Sequence, residues 1–245
     1  MHNISEISEN VKQYRYLSNL TQEELAVRSG MALPKIKKIE GGKPGIRMST
    51  IESLAGALDI EVSALIQPAR RLKTIRFRSC KNMRSRESVV SVIINKLDKY
   101  NELEKLTGDF IGNAYKSFPK FDSPVKSAEG CRKFIGFDGY SPVNSITHAV
   151  YAMGIKLFNI PINPGKFFSL LVGEEDGGPA IIVNNNKRIS YEQAIFSLSH
   201  ELGHLLMHRD IEKHIDDEII WAEEDEADLF ASHFLMPETG FKAHW

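Results

Sequence analysis

Apolar positions recur every three to four residues through the first 66 positions of the chain. Leu25, Ala26, Ile36 and Ile39, followed by Ile51, Leu54, Ala55, Leu58, Val62 and Leu65, fall on the inward faces of short helices. A helix is predicted from about Thr21 to Arg28, because Thr21 and Glu24 have the spacing of a capping box, in which side chain and backbone satisfy each other's free groups. A turn at Ser29 to Ala32, with Gly30 inside it, leads to a second helix from about Leu33 to Glu40. Ser49 and Glu52 repeat the capping spacing and predict another helix start. Four or five short helices around one small core are expected.

A long helical pattern follows from about Arg86 to Leu106 and is expected to begin a second domain. Ser117 to Pro124 carries two prolines and reads as a loop. Helices are expected from about Val125 to Ile135 and from beyond Pro142 to Met153. The pattern then changes. Ile155–Asn163, Lys166–Gly173 and Gly178–Asn185 are rich in β-branched and aromatic residues and read as three strands, separated by Pro164-Gly165 and by Glu174 to Gly178. Helical spacing returns at a capping box of Ser190 and Gln193 and runs through Phe196, Leu198, Leu202, Leu205 and Leu206. A last helix is marked by Ala227, Phe230, Ala231, Phe234 and Leu235. The division expected is an all-α domain over 1–68, a linker over 69–86, and an α+β domain with a small sheet over 87–245.

Composition changes this picture little, and charge changes it more. The apolar and charged fractions, 42% and 26%, are those of globular domains. No window approaches the ~20 apolar residues that span a bilayer, and the N-terminus lacks the basic start and apolar stretch of a signal peptide, so no membrane partner and a cytoplasmic location are expected. Cys80 and Cys131 stand far apart without a C-x-x-C partner, which leaves histidine and carboxylate to hold any metal. Residues 1–68 carry 8 basic and 8 acidic side chains, residues 69–86 carry 8 basic and none acidic, and the rest carry 15 basic and 24 acidic. The basic collar suits an anionic partner or a solvated linker.

The chemistry lies in Ser199 to Asp210, SHELGHLLMHRD. His200 and His204 are one helical turn apart, a spacing at which two imidazoles share one Zn²⁺, and Glu201 beside them is placed to serve as general base. A catalytic zinc keeps a third protein ligand and one open position. On the last helix Glu224 and Asp228 are four apart on one flank of the buried side. In the gluzincin arrangement such a glutamate completes the site and such an aspartate orients a ligating histidine, which fits Glu224 as ligand and Asp228 as its supporting partner. Glu223 lacks the paired aspartate, Glu226 falls on the opposite face, and His208 is one turn too far along to reach the same ion.

Two resemblances follow from these residues. Residues 7 to 66, with L-T-Q-x-x-L-A, the glycine turn, I-x-x-I-E-x-G and a later L-A-x-A-L, resemble the lambda-repressor-like (Xre-type) helix-turn-helix family. That resemblance implies duplex DNA as partner, with Ala32, Leu33, Lys35, Lys37 and Lys38 of the second motif helix, and Gln22 before it, at or near DNA; Pro34 stands where base-reading side chains are common. Residues 128 to 237 resemble the ImmA/IrrE-type metallopeptidases, through H-E-L-G-H-x-L-x-H at His200–His208 and E-x-E-A-x-x-F-A-x-x-x-L-M-P at Glu224–Pro237. This implies a zincin-like, gluzincin-type fold with Zn²⁺ on His200, His204 and Glu224 and with Glu201 as base. Family peptidases cleave Xre-type repressors under stress or during mobile-element induction.

The expected function is therefore a DNA-binding transcriptional regulator carrying a zinc endopeptidase domain that cuts a specific protein, for which an Xre-type repressor is the natural candidate. A second copy of the chain is a further candidate partner. Gly178–Asn185 is expected to be the edge strand that aligns the substrate by strand addition. The alternative is a regulator or antitoxin-like protein whose second domain binds metal or a partner without turnover.

Overall fold

The computed structural model describes residues 4–77, 86–162, 168–209 and 221–244. The chain forms two compact units, Met1–Arg71 with Arg84–Lys96, and Leu72–Met83 with Leu97–Trp245. This differs from the division expected from sequence in two ways. The second unit takes up part of the basic collar, including the strand Ile75–Phe77, and the long helix Arg86–Thr107 is divided between the units.

The first unit holds five helices, α1 (Ile4–Leu17), α2 (Gln22–Arg28), α3 (Leu33–Glu40), α4 (Met48–Leu58) and α5 (Val62–Ile66), and the first half of α6 (Arg86–Thr107). The Thr21–Glu24 capping box forms at the start of α2, and Gly30 takes the left-handed backbone that the turn into α3 requires. The capping box expected at Ser49 does not form. α4 begins two residues earlier, with Arg47 as its cap, so Ser49 lies inside the helix. Leu25, Ile36, Ile39, Ile51, Leu54, Leu58 and Leu65 meet in one core, and Asn10 on α1 donates to the carbonyls of Leu65 and Gln67, which ties the first helix to the end of the last.

The second unit is α+β. α7 (Pro124–Phe134) and α8 (Ile146–Ala152) precede a mixed four-stranded sheet of β1 (Ile75–Phe77), β2 (Lys156–Ile160), β3 (Ser169–Val172) and β4 (Ala180–Asn184). Then come α9 (Tyr191–Met207), α10 (Trp221–Leu235) and α11 (Glu238–His244). The strand order is β1-β3-β4-β2, with β3 antiparallel to both of its neighbours and β2 parallel to β4. The expectation that Gly178–Asn185 is an edge strand is thereby corrected: β4 is paired on both sides, and the outer strands among the described residues are β1 and β2. Parallel pairing with β2 consumes the backbone groups that a substrate would have used.

α9 packs on β3 and β4, and α10 and α7 pack beside it, so Leu198, Leu202, Leu205, Phe230 and Phe234 share a core with Leu171, Ile181 and Val183. Gly203 sets the approach of α10. A Cβ there would stand 2.9 Å from the ring of Phe230, closer than packed carbons tolerate. The far end of α10 is held by the buried Arg132 of α7, which donates to the carbonyl of Phe234. Among the described residues no helix is long and apolar enough to cross a membrane.

Candidate metal centre

α9 and α10 bring three donor groups together. His200, His204 and Glu224 each offer one ligand atom, all within 4.8 Å of one another. Nε2 of His200 lies 2.8 Å from Nε2 of His204, and the two carboxylate oxygens of Glu224 lie 3.2 Å from these nitrogens, one each. Both imidazoles are almost fully buried. Burial holds His204 well below its usual value of 6.5, so the ring is neutral and its lone pair is available. Burial also pushes Glu224 upward, but its polar surroundings, the two histidine rings and the Arg76 guanidinium, outweigh it and hold the carboxyl well below the usual carboxylate range.

The remaining nitrogens decide which ring atoms face inward. Nδ1 of His200 is 2.6 Å from Asp228 Oδ1, and in the neutral tautomer that donates to this carboxylate Nε2 carries the lone pair. Nδ1 of His204 is 2.9 Å from Nδ1 of His208, whose Nε2 is 2.7 Å from Glu226 Oε2. His208 is thus the outer partner of His204, as Asp228 is of His200. Glu226, expected on the opposite face, turns its carboxylate to His208 instead. With both outward nitrogens donating, two imidazole lone pairs and a carboxylate converge within hydrogen-bond distance. A divalent cation relieves that arrangement, so the donor set fits a metal.

Glu201 is buried, and its Oε1 accepts a 2.7 Å hydrogen bond from the hydroxyl of Ser169 on β3. No sequence pattern pointed to Ser169, because the contact spans 32 residues and depends on which strand lies under α9. Arg76 was equally hidden in a stretch read as linker. It belongs to β1, and its guanidinium reaches Glu223 at 2.7 Å and Glu224 at 2.9 Å. The only available clue was the isoleucine and phenylalanine flanking it, a strand-like triplet inside a basic run.

In the first unit the residues expected at DNA divide into two groups. Ala32, Lys35, Lys37 and Lys38 are exposed, with Lys35 Nζ 3.3 Å from the hydroxyl of Thr50. Leu33 packs against the core, and Gln22 donates to Glu40. Pro34 lies in the first turn of α3, where its missing N–H costs nothing. Glu40 also takes two bonds from the buried Arg15, which places Gln22 at the rim of a closed polar cluster.

Fold and site together define a two-part regulator, a helix-turn-helix DNA-binding domain followed by a metallopeptidase-like domain. Residues 11–65 match the helix-turn-helix family, and residues 152–245 match the IrrE N-terminal-like domain of peptidase family M78. The chain is 40% identical over 60 residues to "Control protein C.SmaI" of Serratia marcescens, a match covering 24% of this chain and 71% of that protein. The chain belongs, through this N-terminal part, to the helix-turn-helix regulators, and it carries an IrrE N-terminal-like domain in its C-terminal part. No solved structure matches it.

Proposed function

We propose that the protein is a cytoplasmic DNA-binding regulator whose second domain is a zinc endopeptidase acting on a specific protein, with an Xre-type repressor as the substrate class. The observation that carries the reading is the convergence of His200, His204 and Glu224 beside the buried Glu201. A zinc ion held by these three residues would polarise the scissile carbonyl and make the attacking water more acidic. Glu201 takes a proton from that water as its oxygen bonds to the carbonyl carbon, and returns it to the departing amine as the C–N bond breaks. Ser169 aims the Glu201 carboxylate by donating to one of its oxygens, and Asp228 and the His208–Glu226 pair hold the two imidazoles in the required tautomer. A hollow of about 160 Å³ lined by Phe121, Met207, His208 and Glu226, among others, is a receptacle for a substrate side chain. On the DNA side, Lys37 and Lys38 of α3 are the residues assigned to the duplex, with Lys35, Ala32 and Gln22 near it.

The test compares the wild type with Glu201→Gln in the native host under DNA damage. Fragments of one protein, present with the wild type and absent with the variant while zinc content stays at about one per chain, are expected. Identical proteomes with retained zinc would favour the alternative, a regulator that binds metal without turnover.

A further inference from the structure

Two donor sets compete for one histidine. Besides His200, His204 and Glu224, a second group formed by His204, His208 and Glu223 also brings its ligand atoms within 4.8 Å. Glu223 and Glu224 are adjacent on α10, and both are partly buried. Sequence distinguishes them only by the aspartate four residues after Glu224. The structure adds a cation between them, since Nη1 of Arg76 binds Glu223 Oε2 and Nη2 binds Glu224 Oε1.

We propose that Arg76 is a positioning residue that selects the third metal ligand, holding Glu223 aside and Glu224 toward the two histidines. The inference rests on the metal reading given above and concerns a part of the chain that reading does not use.

Its backbone is anchored for the purpose. The Asp176 carboxylate accepts hydrogen bonds from the backbone of Lys73 and Thr74 and from the Thr74 hydroxyl, at 2.6, 2.5 and 2.8 Å. Gly173 donates to the Thr74 carbonyl, and Arg76 stands opposite Leu171 in the β1–β3 ladder. The guanidinium is 8% exposed, so its fork is fixed at both ends. A planar guanidinium with two forward nitrogens holds two carboxylates at a set separation, which a single ammonium cannot do.

A cation this near a divalent ion lowers metal affinity by repulsion unless its charge is balanced. Glu223 supplies the balance. The Arg76–Glu223 pair adds no net charge, while Glu224 and Asp228 together match the two charges of zinc. Removing Arg76 leaves the Glu223 charge uncompensated, which by itself favours a bound cation, so a loss of affinity in that variant reports orientation. The basic collar, on this view, serves the metal centre through Arg76.

The test measures zinc affinity of the full-length chain by competition with a chromophoric chelator, together with the visible spectrum of the cobalt-substituted protein. Arg76→Gln is expected to weaken zinc about 10- to 100-fold, the usual effect of losing an outer partner of a ligand, and to change the cobalt spectrum. Glu224→Gln should lose tight binding in the wild-type background. In the Arg76→Gln background Glu223 loses its bond to the guanidinium and can substitute, so the double variant should bind better than the product of the two losses. Wild-type affinity and an unchanged spectrum in Arg76→Gln would overturn the inference, as would strictly multiplicative losses. Should Arg76→Gln lose its thermal transition, Arg76→Lys, which keeps the charge and the strand, is read for affinity and spectrum in its place. A wild-type chain that binds no zinc sinks the metal reading and this inference together, whereas tight zinc with no response at Arg76 sinks this inference alone.

Discussion

The two units bury ionisable side chains to opposite ends. In the first unit Arg15 gives Nε and Nη2 to the two oxygens of Glu40, its Nη1 donates to the Leu20 carbonyl, and Gln22 gives a further proton to Glu40. Donors and acceptors match, and the cluster is closed. In the second unit His200, His204 and Glu224 converge with too few protons among them. A closed cluster fixes helix positions, whereas an open one has room for a ligand and gains stability only when the ligand arrives. Burial of polar groups thus reports function only when their hydrogen-bond accounts are compared.

The largest expected effect tests the closed cluster. Glu40→Ala leaves the Arg15 guanidinium, 7% exposed, without its carboxylate and should destabilise the first unit by ~3–5 kcal/mol. Thermal unfolding of the variant should show this loss with zinc content unchanged. A loss below ~1 kcal/mol would mean that the cluster does not hold the unit together. The open cluster should respond to its ligand instead. At zinc a thousandfold above its dissociation constant the second unit gains ~4 kcal/mol, and a chelator removes that gain. Calorimetry with and without chelator should move one transition only; two transitions that shift equally would erase the contrast between the units.

Acid sharpens the same contrast. His204 is held neutral when folded, well below the 6.5 it has when unfolded. Above pH 6.5 both states are neutral and the group contributes nothing to the pH dependence. As pH falls below 6.5 the unfolded chain gains a proton that the folded chain refuses, so stability drops by up to ~1.4 kcal/mol per pH unit until the folded value is reached. The chelated protein should therefore lose stability in its second unit between pH 6.5 and 5, and His204→Gln should flatten that slope. The described residues of the first unit include no histidine, so the slope has no counterpart among them. A slope that survives His204→Gln unchanged would assign the effect to other groups.

The smallest effect separates outward charge from buried charge. Lys37 and Lys38 are exposed on α3. Each lysine that contacts a phosphate contributes about one to the slope of log affinity against log salt, so the double alanine variant should lower that slope by about two while leaving the fold intact. Mobility-shift titrations at several salt concentrations measure it. An unchanged slope would move the DNA-binding face away from α3.

What the sequence determined by itself were the features that depend on residues three or four apart. The Thr21–Glu24 and Ser190–Gln193 caps, the helix-turn-helix with its glycine turn, the three strands of the second domain and the His200–His204 spacing all follow from local periodicity, because a helix brings i and i+4 together whatever surrounds it. Local reading erred at Ser49, where two residues of helix extension moved the cap to Arg47. Tertiary structure alone decided the rest. A strand's alternation does not say which strands will be its neighbours, so β4 turned out to be interior and three collar residues became an edge strand. Ser169 under Glu201, Arg76 between Glu223 and Glu224, and Glu226 on His208 are contacts across 32, 147 and 148, and 18 residues. Such pairs form because packing brings separate elements together and buried charged or polar groups must then find partners among whatever side chains the fold places beside them.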